Sequence, residues 1–286
     1  MPDFVIVGCG YVGERLARAL TGTVSAMTGS AGRAARLRES GIAALACDLD
    51  QLTTDAPLPI ETRGSVLIYL APPPGSGPAD RRLRRTLAAL AGKPSRIVYM
   101  STTGVYGDAA GATIDEARQP RPTTARSLAR LDAETAVREF CEARGIDWVV
   151  LRVPGIYGPG RLPLERLRRG DPVIVEEQSG PGNRIHVDDL VRVCAAAATL
   201  PVAANRLYNV GDGNHASSTA YFNLVALLAG LPRPPAVSRE EAESRLPPAT
   251  WSFLADSRRV DTTRMREELG VEIRYADLEE GIRASL

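Results

Sequence analysis

The chain has 286 residues, 44% of them hydrophobic, and carries 35 basic against 34 acidic side chains for a formal net charge of +1. That is enough apolar material for one large core, while the near-zero charge balance excludes the electrostatic footprint of a nucleic-acid or anionic-membrane binder. Cys9, Cys47, Cys141 and Cys194 form no CxxC pair and only His186 and His215 could join them, which argues against a disulfide framework or a metal site.

The opening "MPDFVIVGCG" has no basic leader and only a short apolar run, and no segment is long enough to span a bilayer, so a cytoplasmic protein with no membrane partner is the expectation. Short β-branched runs then alternate with amphipathic stretches: "FVIVG" with "YVGERLARAL", "TVSAMT" with "AGRAARLRES", and "IAALAC" with a loop rich in Thr, Pro and Asp. "SVLIYLA" follows with "ADRRLRRTLAALAG", "SRIVYMS" with "ARLDAETAVREFCEAR", and "IDWVVLRV" closes the series. This alternation predicts an α/β fold with a doubly wound parallel sheet, the Rossmann arrangement, over residues 1–153. After Val153, Pro and Gly become frequent, and helices are predicted near 187–199, 217–229 and 262–269. Residues 154–286 are expected to form mainly a smaller substrate-binding lobe that does not fold independently, with later segments returning to the first domain.

"GCGYVG" places Gly8, Gly10 and Gly13 in the G-x-G-x-x-G order, with Tyr11 and Val12 between, at a strand-to-helix turn suited to a pyrophosphate. The second strand ends in "MTGSAGR", where Thr28, Ser30 and Arg33 stand and no carboxylate does. An acidic residue there would select the 2′-hydroxyl of NAD(H) and repel a 2′-phosphate, so NADP(H) is favoured, unless Arg33 and Arg36 merely form a solvated helix face. "CDLD" after the third strand places Asp48 and Leu49 near an adenine edge, although Asp48 also fits a helix cap.

"RIVYMSTTGVYGD", "LRVPGIYGPGR", "NRIHVDDLV" and "LYNVGDG", in that order, resemble the signature segments of the extended short-chain dehydrogenase/reductases, the NAD-dependent epimerase/dehydratase group. The tight glycine spacing is similar to its atypical, YeeZ-like branch. The resemblance covers almost the whole chain and implies adenine contacts from Asp48 and Leu49, and a loop beneath the cofactor from "LAPPPG", that is Leu70, Ala71, Pro72 and Pro73 onward. It implies further contacts from Ser101, Val153 and Pro154, a Thr102 hydroxyl on a substrate oxygen, and a homodimer as relatives often form.

Family chemistry needs Tyr-x-x-x-Lys on the helix after the Thr102 strand, the tyrosine as proton donor or acceptor and the lysine beside it. Registering "LDAE" (131–134) on the family pattern puts Arg130 at the lysine and Arg126 at the tyrosine, and the single lysine, Lys93, has Ala89 four residues before it. Arg130 keeps the charge and can bind the ribose, but Arg126 stays protonated and cannot shuttle a proton. Other acids are Tyr106, Tyr157, Asp108, Asp115 and His186; each also has a structural explanation, with Asp115 and Glu116 resembling an exposed loop. Thr103 and Gly104 stand where dehydratases of the family hold an Asp-Glu pair, which argues against water elimination. Tyr157, Arg161 and Arg184 fall where the resemblance implies substrate contacts, suiting an anionic small molecule, although arginines of this kind also serve as solvated helix faces. Two functions stand open: an NADP-dependent oxidoreductase or epimerase on a small carbonyl or sugar-nucleotide-like substrate, or a non-catalytic NAD(P)-binding redox sensor or interaction protein.

Overall fold

A computed structural model describes residues 3–53 and 56–286; Thr54 and Asp55 of the Thr-, Pro- and Asp-rich loop, like Met1 and Pro2, lie outside the described residues. Seven strands, β1 (Phe4–Val7), β2 (Val24–Thr28), β3 (Ala43–Ala46), β4 (Val66–Tyr69), β5 (Arg96–Thr102), β6 (Asp147–Val153) and β7 (Arg206–Asn209), form one sheet. All neighbours are parallel, in the order β7-β6-β5-β4-β1-β2-β3. The continuous apolar runs follow from covering both faces. Phe4 and Ile6 enter one core with α1 (Tyr11–Ala19), α2 (Ala31–Glu39) and α5 (Val187–Thr199); Val5 and Val7 enter the other with α3 (Arg81–Ala88) and α4 (Ala125–Glu142). The strand order reverses between β1 and β4, opening a crevice at the carboxyl ends of the strands.

The second half is more strand-rich than its pattern predicts. It supplies β7 to the central sheet, and Gly155–Tyr157 pairs with Arg184–His186, Val173–Ile174 with Ala236–Val237, and Thr113–Ile114 with Arg259–Val260. Ladders of two or three residues are too short to show a period in sequence. The helix expected near 217–229 is α6 (Ser218–Leu228), whose Tyr221, Phe222 and Val225 pack with Tyr157, Leu278 and Ile282 in a separate core.

Two local constraints hold the crevice. Gly8 has φ +84°, and a Cβ there would lie 2.4 Å from the Ala71 amide nitrogen, so β1 and the loop after β4 touch backbone to backbone. A Cβ on Gly13 would lie 3.3 Å from the Ile6 and Leu70 side chains, whereas one on Gly10 would meet nothing closer than the Gly8 carbonyl oxygen at 3.7 Å. Packing within the chain therefore requires glycine at 8 and not at 10.

The second constraint is a buried ion pair. Ser101 and Arg152 sit side by side in the β5–β6 register, on the face covered by α4. Glu134 of α4 comes down between them: Ser101 Oγ donates to Oε1 at 2.5 Å, and Arg152 donates from Nε to Oε1 at 3.1 Å and from Nη2 to Oε2 at 2.7 Å. Both charged side chains are about 95% buried, at 5% and 4% relative exposure.

Gly8→Ala is expected to cost roughly 2–4 kcal/mol through strain and overpacking, and Gly10→Ala about 1 kcal/mol, the cost of alanine at an N-cap. Equal midpoints for the two variants in urea melts would contradict this division. Glu134→Ala strands a buried guanidinium and should cost about 3–5 kcal/mol, while Glu134→Leu combined with Arg152→Met should cost less than the single change. A double variant weaker than Glu134→Ala would overturn the assignment of the cost to uncompensated charge.

Candidate functional site

The crevice holds a groove of about 430 Å³ at the ends of β1, β2, β3 and β4, within the range of small-molecule sites. Of the residues expected to hold a cofactor, Gly8, Gly10, Thr28, Arg33, Asp48, Leu49, Ala71 and Pro72 line it. Helices α2, α3, α4, α5 and α6 are each capped by a side chain, from Ser30, Asp80, Thr124, His186 and Ser217, whereas α1 starts at Gly10 with no side-chain cap. No side chain caps its first-turn amides, and the space beside Gly10, which lines the groove, admits close approach of a phosphate. These residues fit a dinucleotide.

Arg33 Nε donates to the Cys9 carbonyl at 2.9 Å, tying the glycine turn to α2 and placing the guanidinium beside Thr28 and Gly29. Ser30 has a different task, accepting from the Arg33 amide as the α2 cap. Arg82, which sequence reasoning missed, also lines the groove; it pairs with Asp50 at 2.5 Å and donates to the Pro72 and Pro73 carbonyls. Among so many arginines no sequence signal marks it.

Beyond the groove, at the ends of β5 and β6, lies a second cavity of about 300 Å³ whose lining includes Thr102, Arg126, Ser127, Pro154, Arg184, Tyr221 and Arg258. Arg130 joins the two: its Nη1 donates to the Met100 carbonyl at 2.8 Å, to Tyr99 Oη at 3.2 Å and to the Ala71 carbonyl at 3.4 Å. Thr102 Oγ1 accepts from the Gly104 amide at 3.2 Å and a Cβ on Gly104 would lie 2.9 Å from Ser127 Oγ, so the strand end and the start of α4 meet at the cavity wall. Arg184 is buried, donating to the carbonyls of Ala216 and Ser217 at 2.7 and 3.1 Å, with its guanidinium 4.4 Å from the Tyr221 ring centroid. Ser127, Asn183, Tyr221, Asp256 and Arg258 were not among the expected residues, because they come from four separate segments that only the fold brings together.

Several of the expected contact residues lie outside the linings of the two pockets. Ser101 is buried with its hydroxyl committed to Glu134, because the strand pleat turns it away from the face where Thr102 emerges. Val12, Gly13, Leu70 and Val153 support the crevice from inside the core, and Pro73 is likewise buried. Tyr157 is 2% exposed and packs against His186 and Tyr221, away from the cavity. Arg161 is exposed and stacks on Tyr11, whose Oη donates to the Pro159 carbonyl at 3.0 Å; both belong to a contact outside the two pockets. Glu116 is not an exposed loop residue: its side chain is 5% exposed and accepts from the Asn209 amide.

The five alternative acids fare no better, since none is among the described residues lining the cavity. Tyr106 Oη donates to Asn209 Oδ1 at 2.6 Å in the interior, Asp108 accepts the Ser257 amide and Asp115 the Ala117 amide. His186 caps α5 through Nδ1, and burial pushes its pKa down. Within the cavity, burial pushes the Tyr221 phenol up to about 12, against the opposing pull of Arg184. Behind Arg184, burial raises the Asp212 carboxyl from the ordinary 3.8 to about 7, with Arg184 again opposing.

Because folded Asp212 holds its proton more tightly than the unfolded chain does, its contribution to stability is lost as pH rises from about 4 to about 7. Asp212→Asn keeps an acceptor for the Asn214 amide and removes that titration. Its melting temperature relative to the parent should therefore climb across this window and level off above it; parallel curves from pH 4 to 8 would sink the assignment.

Residues 80–211 match the sequence profile of the NAD dependent epimerase/dehydratase family. Protein YeeZ of Escherichia coli (strain K12) is 28% identical over 97% of both chains. A conserved protein of unknown function from Silicibacter pomeroyi DSS has a structure with TM-score 0.80 at 30% identity, over 99% of this chain and 98% of its own. MoeE5, solved in complex with UDP-glucose and NAD, gives TM-score 0.76 at 25% identity, over 99% and 97%. The family match is confined to residues 80–211, while the likeness to YeeZ and to the two solved structures runs over nearly the full length of the chain.

Proposed function

We propose that this chain is an NADP(H)-dependent oxidoreductase or epimerase acting on a small anionic carbonyl or sugar-nucleotide-like substrate. The observation that carries the proposal is Arg130, whose one guanidinium nitrogen reaches the Ala71 carbonyl of the groove wall and the Met100 carbonyl beneath Thr102. A dinucleotide lying along the groove has its reactive end directed past Arg130 toward Thr102 and the cavity. The binding of UDP-glucose and NAD by MoeE5 agrees with a pair of adjoining sites.

NADP(H) is preferred because Thr28 and Arg33 line the adenosine end of the groove with no carboxylate in residues 28–33 to repel a 2′-phosphate. A bound nicotinamide supplies hydride transfer. The chain's own part is to orient the substrate oxygen at the Thr102 hydroxyl and to hold positive charge near it through Arg126 and Arg130. Arg126 cannot exchange a proton, so proton exchange falls to another group at the cavity, the protonated Tyr221 phenol or entering solvent.

The same Arg126 favours the second function, a non-catalytic NADP(H) sensor. Fluorescence titration and single-turnover oxidation of bound NADPH separate the two. The parent should bind NADPH at least tenfold more tightly than NADH, Arg33→Ala should erase most of that ratio, and Gly10→Ala should weaken both cofactors while the protein stays folded. An NADH preference in the parent would refute the cofactor assignment. Tight NADPH binding with no oxidation by any carbonyl or nucleotide-sugar tested, and no effect of Thr102→Ala, would replace the enzyme with the sensor.

A further inference from the structure

Arg82 of α3 ties together the two loops that form the adenosine end of the groove. Its Nε and Nη2 donate to the two carboxylate oxygens of Asp50 at 2.7 and 2.5 Å, and its Nη1 donates to the Pro72 and Pro73 carbonyls at 3.2 and 3.4 Å. Asp50 is itself held: its amide donates to Asp48 Oδ1 at 3.0 Å, and its carbonyl accepts from Arg85 at 2.7 Å. One guanidinium therefore sets the spacing between Asp48 and Leu49 on one wall and Ala71 and Pro72 on the other, and it lines the groove with them. The clasp stands near the surface, with 47% of the Asp50 side chain and 25% of the Arg82 side chain exposed, so it adds little to global stability.

The pattern of donors limits what Arg82 can offer a ligand. Its fork is closed on a carboxylate and its remaining nitrogen on two carbonyls, which leaves no pair of donors for a phosphate and offsets the charge that would attract one. Guanidinium hydrogen bonds lie in the plane of the group. A plane with partners on both loops spans the gap between them, and it turns a face, not an edge, to the space they enclose. Such faces stack on nucleic-acid bases. Cys47, Leu49 and Ala71 supply apolar lining beside it, the surroundings a flat heterocycle needs.

We propose that Arg82 is a specificity-determining residue for the base of the cofactor: its guanidinium, held flat by Asp50, stacks on the adenine and selects a purine there. This rests on the groove being the dinucleotide site, as proposed above, and it divides the adenosine between two arginines, Arg33 for the 2′-phosphate and Arg82 for the base. NADPH and NADH carry the same base. Arg82 therefore adds affinity for both without taking part in the choice between them.

Fluorescence titrations of the full chain with NADPH, NADH and reduced nicotinamide cytosine dinucleotide test this, the last replacing the purine of NADH by a smaller ring. The parent should bind NADH more tightly than the cytosine analogue. Arg82→Ala should weaken NADPH and NADH by the same factor, about tenfold, and the cytosine analogue by much less, so that the base preference narrows. Arg82→Lys keeps the charge but has no plane to stack and should resemble Arg82→Ala. Asp50→Ala, which releases the guanidinium without removing it, should give a smaller loss with the same order among the three ligands. Both partners are partly exposed, so the melting temperatures of these variants should stay close to that of the parent. A loss confined to NADPH makes Arg82 a 2′-phosphate ligand and overturns the proposal. An equal loss for all three dinucleotides reduces Arg82 to a brace between loops and overturns it as well, as does unchanged affinity in Arg82→Ala. Failure of the parent to bind any of the three removes the dinucleotide reading of the groove, and this inference with it.

Discussion

The Glu134–Arg152 pair is the constraint on which the geometry of both pockets depends. Two charges at about 95% burial are stable only because each oxygen of the carboxylate receives a donor, and Ser101 adds a third hydrogen bond. The pair pins α4 against β5 and β6 at one rotation and one height. Residues at four-residue spacing share a helix face, so Arg130 and Arg126 follow from Glu134 as the next two positions along it. Glu134 is anchored in the core, Arg130 reaches the carbonyls between the pockets, and Arg126 emerges at the cavity. A rotation of α4 large enough to move Arg126 would break a buried ion pair.

At the other end of the crevice the constraint is backbone against backbone. Gly8 lets β1 approach Ala71, and the proline loop that follows is held by Arg82 donating to two of its carbonyls. The groove therefore has walls fixed without reference to any ligand, and glycine at position 10 is the exception that chain packing does not explain. That difference between Gly8 and Gly10 separates what the fold needs from what a dinucleotide needs.

Features that depend on local backbone or on long apolar runs were legible in the sequence. The first six strands and the glycine turn follow from patterns contained within a few residues, and the parallel arrangement from the alternation of strands with helices. Strand β7, "RLYN", is short and half polar, and its place beside β6 is decided by pairing that no local pattern announces. Site residues divide the same way. Thr28, Asp48 and Ala71 sit at strand ends, where the fold alone puts them in the groove. Ser101, by contrast, belongs to a strand whose pleat assigns adjacent residues to opposite faces, so its hydroxyl meets Glu134 while Thr102 lines the cavity, an alternation the signature segment does not display. The surroundings of Tyr157 and Arg161 were not legible for a different reason: their neighbours, Tyr221 and Tyr11, come from distant segments.

Arginine in place of lysine changes what a buried cation does. A lysine ammonium is compact and titrates more readily when desolvated, whereas a guanidinium remains charged while distributing its hydrogens over several acceptors. Arg96 shows the consequence far from the crevice, with Nη1 donating to the carbonyls of Ala197, Ala198 and Leu200 at the end of α5. Arg130 works in the same manner, and its contacts with Ala71, Tyr99 and Met100 make it part of the wall between the pockets as well as a source of charge. Restoring Tyr-x-x-x-Lys would therefore remove a structural clamp along with a charge. Arg130 holds the wall between the pockets, and Arg126, one turn before it on α4, belongs to the cavity lining, so a change at either position alters the shape of the crevice as well as its charge.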